Sequence, residues 1–278
     1  MAINKELYFD DLQTFWDYAM RESRAYRKDS RASSNLYKCG GATWDEAKRL
    51  AQRGWQEGLN EIHKYVADMS PIITEHVFRP YPVNAVNGFA VDVGAFLSNN
   101  PECFFNRIYE EAKAPGKVIK LVCSVSFSWS ITPQVIIQRG AMICALIDAI
   151  EYAGNRVEVV CNESACFSDT ENSRKGLEKN KGWFEISVVV KKAEQPLNMS
   201  TLAFCLAHPA MLRRIMFSVD ELEGWSDYSP GYGYPATATD KGDLYIEEIF
   251  SGTVPNEKAI EWVFSKLSEL GIKIEKNN

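Results

Sequence analysis

The sequence predicts an α/β fold: a mostly parallel sheet flanked by helices, with a helix-rich N-terminal region. Three observations carry this. Runs rich in β-branched and aromatic residues at 118–127, 156–161 and 184–191 read as strands. A long apolar stretch at 135–153 lies between the first two and reads as a crossover helix, so strand, helix and strand repeat as in layered α/β proteins. Near the N-terminus Phe9, Leu12, Phe15, Trp16 and Ala19 recur at helical spacing.

Each element has its own local signal. After the first helix, residues 21–38 turn polar and basic and read as a solvated helix end and loop. Thr43-Trp44-Asp45-Glu46 is a capping box, in which the Thr43 hydroxyl accepts the Glu46 amide and the Glu46 carboxylate reaches back. Trp44, Ala47, Leu50 and Ala51 then share one helical face up to Gly54, and a second helical run extends from Trp55 through Val66. Ile72, Ile73, Val77 and Phe78 are strand-like, with Pro80 and Pro82 interrupting. Ala114-Pro115-Gly116 is a strong breaker, and it places a boundary there: a helix-rich region at 1–116 and an α/β domain at 117–278. In the second part Thr132-Pro133 opens the long helix and Gly154 closes it. Residues 162–182 are polar and read as a loop. Asn198 or Ser200 caps a helix through Leu206, and 211–217 is another apolar run. A strand at 245–250 and a helix at 255–270, ended by Gly271, complete the pattern.

Composition narrows the function classes. The 278 residues carry 31 basic and 37 acidic side chains, a net charge of −6, and are 46% hydrophobic, as folded globular chains are. No apolar run approaches the roughly 20 residues of a membrane helix, so no membrane association is expected. The N-terminus has no apolar signal core, which points to a cytoplasmic chain. Seven cysteines without a Cys-x-x-Cys pair read as reduced, mostly packed thiols, with Cys161 and Cys166 as a remote local pair. The three histidines, His63, His76 and His208, have no partner at zinc-ligand spacing, so each reads as a packed or surface residue and neither metal nor cofactor is expected. Phosphate-loop, dinucleotide-loop, nucleophile-elbow and zinc-protease motifs are missing, which lowers the prospect of an enzyme while leaving open a site without a motif.

The most informative stretch is Lys120 to Thr132, where Ser124, Ser126, Ser128, Ser130 and Thr132 gather at the change from strand to helix. Ligands of open α/β sheets bind at that edge, and the first helical turn suits an anion. Ser126, Ser128, Ser130 and Thr132 are the candidate binding residues; the plainer alternative is that the serines only satisfy the helix start. With Arg139-Gly140 to Ala149 and Ala153 to Val160, this stretch resembles a von Willebrand factor A-like domain over about residues 117–270. Such domains hold a divalent metal with Asp-x-Ser-x-Ser at the end of the first strand. Here the serines fit in two registers, and in both the leading Asp is Ser, so the resemblance implies a metal-free or weakly binding version. The resemblance would put the remaining ligands at Asp169-Thr170.

The whole chain also resembles an uncharacterised group of bacteriophage and prophage proteins. The resemblance runs through Thr43-Trp-Asp-Glu-Ala, Gly54-Trp-Gln-Glu-Gly58, Val91-Asp-Val-Gly94, Asn100-Pro-Glu-Cys103 and Ala203 to Arg214. It implies a phage or mobile-element origin and, with that, the cytoplasm of an infected host.

Three functional expectations follow. The first is a non-enzymatic adaptor that engages a protein partner through the serine-rich edge, with a second copy of the chain as a further compatible partner. The second is a single-stranded nucleic-acid binder, using Arg21, Arg24, Arg27, Lys28 and Arg31 with the aromatic loop of Tyr232 and Tyr234. The third is an enzyme whose site has no motif. His208-Pro209-Ala-Met-Leu-Arg213-Arg214 reads as a core helix with solvated arginines, the alternative being that it holds an anion.

Overall fold

The computed structural model describes residues 4–23, 29–32, 35–66, 72, 82–86, 90–107, 116–168, 170–175, 182–225, 232–250 and 258–274. The chain opens with β1 (Asn4–Phe9), α1 (Leu12–Ala19), α2 (Asp29–Ala32), a 3-10 turn (Tyr37–Cys39), α3 (Trp44–Arg53) and α4 (Gln56–Val66). A small antiparallel sheet follows: β2 (Pro82–Ala85), β3 (Ala90–Val91) and β4 (Phe104–Arg107), with α5 (Val93–Leu97) inserted and strand order β2-β4-β3. The remaining elements are β5 (Val118–Ser124), α6 (Pro133–Tyr152), β6 (Arg156–Cys166), α7 (Glu171–Arg174), β7 (Trp183–Lys191) and α8 (Met199–Ala207). A π-helical turn (Met211–Met216) then runs into α9 (Phe217–Leu222), followed by β8 (Tyr234–Pro235), β9 (Leu244–Ile246) and α10 (Ala259–Glu269).

The main sheet has the order β1-β7-β6-β5-β9, with β8 on the far end of β6. β5 is parallel to β6 and β9, and β1 is parallel to β7; β6 and β7 are antiparallel. The sheet is therefore mostly parallel, as expected. One face carries Leu121, Cys123, Val159, Cys161, Ile186 and Val188 into a single core with α1, α3, α4, α6, α8 and α10. The other carries Val122, Val160 and Val189 beneath Ala238 and Tyr245.

The start of the chain was expected to be helical, with Phe9 on the helix, but 4–9 form an edge strand on β7. Leu7 and Phe9 face the core while Tyr8 stays half-exposed, a period of two that six residues state weakly beside the helical spacing that follows. The boundary near 116 does not separate two cores. Phe9, Phe15, Trp16, Leu50 and Ile62 lie in the same buried cluster as Leu121, Ile143 and Phe204. The expected strand residues Ile73, Val77 and Phe78 lie outside the described residues.

The loop expected from 162 is, through Cys166, a continuation of β6. Its polar side chains are satisfied across the sheet. Asn162 Nδ2 donates to Glu185 Oε1 (2.8 Å) and Ser187 Oγ (3.0 Å), and Ser164 Oγ donates to Asn162 Oδ1 (2.9 Å). Burial of polar groups is tolerated when they are paired in this way. Cys161 and Cys166 both lie on β6 as free, buried thiols, like the other five cysteines.

The capping box forms by half. Thr43 Oγ1 accepts the Glu46 amide at 3.2 Å, but the Glu46 carboxylate turns to Arg49 (2.6 Å). Asn198, not Ser200, caps α8, accepting the Thr201 amide at 3.2 Å. α6 crosses α8 at Gly140, where an added Cβ would lie 2.2 Å from the Ala207 Cβ. Among the described residues no single helix is long and apolar enough to cross a membrane.

Candidate functional site

The candidate site lies where β5 leaves the sheet and 125–132 lead into α6. β5 stops pairing with β6 after Ser124, and Ser126 replaces the missing backbone partner. Its hydroxyl accepts the Ser164 N–H and donates to the Ser164 carbonyl, both at 2.9 Å. Ser124 Oγ in turn accepts the Ser126 amide at 3.2 Å. Both serines are buried, so Ser126, expected to bind, instead holds the crossing in place. A bridge from Phe127 to Ile249 extends this anchoring on the β9 side.

The next residues turn outward. Ser128 Oγ and Ser130 Oγ lie 3.2 Å apart, the Ile131 amide closes a turn on the Ser128 carbonyl (3.0 Å), and Trp129 at the tip is 63% exposed. The turn thus holds most of the indole in solvent. Thr132 takes the N-cap position of α6 with extended backbone (φ −80°, ψ 154°), yet its hydroxyl makes no capping bond. The first-turn amides of a 20-residue helix are thus left without a side-chain acceptor.

Two cations stand beside Trp129. The Lys38 ammonium, from the 3-10 turn, lies 5.4 Å from the indole centroid, and the Arg213 guanidinium, from the π-helical turn, lies 5.6 Å from it. Lys38 donates to the Trp129 carbonyl (2.8 Å); Arg213 donates to the carbonyls of Lys38 (2.6 Å) and Ile131 (3.2 Å). Neither has a carboxylate partner among the described residues. Burial, then the Arg213 charge, pushes the Lys38 ammonium below its usual value, and burial does the same to Arg213. Leu36 and Tyr37, next to Lys38 in the chain, are exposed as well.

The arginines expected in solvent are therefore buried. Arg213 ties the serine-rich turn to the 3-10 turn, while Arg214 donates to the carbonyls of Ala42 (3.1 Å) and Ser30 (2.9 Å). The π-helical turn is buried on every side, Met211 to Met216 alike, so both arginines point to backbone carbonyls of the segments packed around it. His208 is packed, as expected, edge-on to Trp55 at 4.6 Å, and burial holds its imidazole down to about 4.

Of the residues named for nucleic acid, those that are described, Arg21, Arg31, Tyr232 and Tyr234, are engaged within the fold. Arg24, Arg27 and Lys28 lie outside the described residues. Arg31 donates to the Ala19 and Arg21 carbonyls and lies over Trp44, and Arg21 lies over Tyr18. Tyr232 is stacked on Phe217 at 3.8 Å with its hydroxyl on Glu221, and Tyr234 belongs to β8. Asp169 also falls outside the described residues, and among those described no group of three or more Cys, His, Asp or Glu is placed to hold a metal. Lys38 was visible in the sequence only as part of the basic stretch, and Arg213 only as a helix residue; their meeting at Trp129 had no local signal.

No curated protein and no solved structure matches the chain. A family model described as a domain of unknown function, DUF7192, matches residues 3–273 and so takes in both β1 and α10. The chain belongs to the DUF7192 family.

Proposed function

We propose that this protein is a non-enzymatic binding protein whose serine-rich crossing engages an acidic, apolar-containing segment of a protein partner. The observation that supports this is Trp129, 63% exposed between Lys38 and Arg213, two cations whose hydrogen-bond partners are backbone carbonyls. Exposed Trp and Tyr beside Arg is the composition of interface hot spots, where a large side chain seals a contact and water is excluded around it. Ser128, Ser130, the free Thr132 hydroxyl and the N-terminus of α6 supply polar contacts around that anchor. A carboxylate partner would meet donors and positive charge, with no competing acid among the described residues.

The reading needs no metal: oxygen ligands at this edge are neutral hydroxyls, and Ser124 and Ser126 are committed to the backbone. Likeness to a von Willebrand factor A-like domain enters here only as the shared place of the site, at the crossing from β5 to α6. Immobilised protein, with Trp129→Ala and Lys38→Glu variants in parallel, is the test. A protein retained from cell extract after nuclease treatment, and lost with either variant, is the expected result. Retention of the same proteins by all three chains would refute the proposal.

A further inference from the structure

A second cluster, independent of the proposed binding surface, lies in the core between β6 and α9. Alternation along β6 puts Glu163 on the same face as Cys161 and Ala165, inside the apolar core. Asp220 meets it from α9, and the two residues are 2% and 0% exposed. The carboxyl groups are within hydrogen-bonding reach of each other. Neither oxygen of Asp220, nor Oε2 of Glu163, receives a hydrogen bond from any donor among the described residues.

Among the described residues the surroundings offer no counter-charge. Glu221, on the same helix, adds a like charge to Asp220; among the described residues Cys161 on β6 and Tyr232 ahead of β8 are the other titratable neighbours, and burial holds both in their neutral forms. Arg213 and Arg214, on the adjoining π-helical turn, are directed to the carbonyls already described. Two touching carboxylates withdrawn from water repel each other, and each loses its hydration without replacement. One proton between them cancels a charge and supplies the donor that the Asp220 oxygens lack.

We propose that Glu163 and Asp220 form a proton-binding site, an acid–carboxylate pair that holds one proton at neutral pH and fastens α9 to β6. Its loss loosens more than one contact. The next residue of α9, Glu221, accepts the Ser30 amide (2.8 Å), the Ser30 hydroxyl (2.7 Å) and the Tyr232 hydroxyl (2.6 Å), so α9 also seats α2 and the approach to β8. The direction of the pH effect follows from linkage. The folded chain keeps a proton that the unfolded chain has already released above the ordinary carboxyl range. Stability therefore falls as pH rises toward the titration of the pair.

The test is infrared spectroscopy of the full chain at neutral pH, followed by thermal unfolding from about pH 6 to pH 9. The expected result is the carbonyl band of a protonated carboxylic acid, lost in Glu163→Gln and in Asp220→Asn. The unfolding temperature of the parent chain falls with pH, and that of Glu163→Gln changes less. Glu185, a third buried carboxyl raised by burial, accepts hydrogen bonds from Asn162 and Thr239, so Glu185→Gln keeps the band. No protonated band in the folded parent chain overturns the proposal, whether or not the variants fold. A band removed by Glu185→Gln alone overturns it equally.

Discussion

Ser126 and Ser128 are two residues apart and chemically alike, yet the structure gives them different work. Ser126 bonds to both backbone groups of Ser164 where β5 ends, whereas the Ser128 hydroxyl, among the described residues, pairs with that of Ser130. Ser126→Ala leaves the buried Ser164 N–H without its acceptor, while the Ser164 carbonyl keeps the Ala236 amide (2.9 Å), and is expected to cost about 1–3 kcal/mol. Ser128→Ala is expected to change stability by less than about 0.5 kcal/mol, as exposed substitutions do. Urea unfolding of both variants checks the contrast, and equal losses would show that the crossing is anchored elsewhere. The sequence could bring these hydroxyls to the sheet edge, because their place between a strand and a helix start is a local signal. It could not divide them into anchors and exposed groups, because that depends on Ser164, 38 residues away. The same holds at Trp129: the turn is local, but Lys38 and Arg213 arrive 91 and 84 residues away along the chain.

Among the elements, α6 was the most legible. Its Thr-Pro opening and Gly closure both lie within the sequence of the helix itself, and Gly154 adopts the left-handed φ of +86° that such an ending requires. Less visible was why Gly140 stands in the middle of an apolar helix, where glycine costs stability relative to alanine. The reason is α8, whose Ala207 backbone comes so close that even a methyl group has no room. Gly140→Ala, which improves intrinsic helix propensity, is therefore expected to destabilise the protein by about 1–3 kcal/mol through overpacking. A stabilised variant in denaturant titration would mean that α6 and α8 are less closely seated. The π-helical turn was not legible at all. Met211, Leu212 and Ile215 fit a regular helix, and nothing local announces that Arg213 and Arg214 are drawn inward by carbonyls of the 3-10 turn, of 128–131 and of 30–42.

For the whole molecule, strand–helix–strand alternation correctly announced a mostly parallel sheet. Alternation is a property of consecutive segments, and β5, α6 and β6 are consecutive. β1 was missed because its place in the sheet comes from β7, some 180 residues on, and its own pattern runs directly into a helical one. The N-terminal helices and the C-terminal sheet share one core, and this sharing brings the 3-10 turn of Lys38 to the end of β5. The proposed binding surface is thus assembled from three distant segments of the chain. A photo-crosslinking residue in place of Ser130, beside Trp129, tests it most directly. Gln195, exposed beyond the end of β7 at the opposite edge of the sheet, is the control position. The account predicts a defined protein adduct from position 130, absent from position 195 and abolished by Lys38→Glu. Equal adducts from both positions, or an adduct at 130 that consists only of nucleic acid, would contradict it.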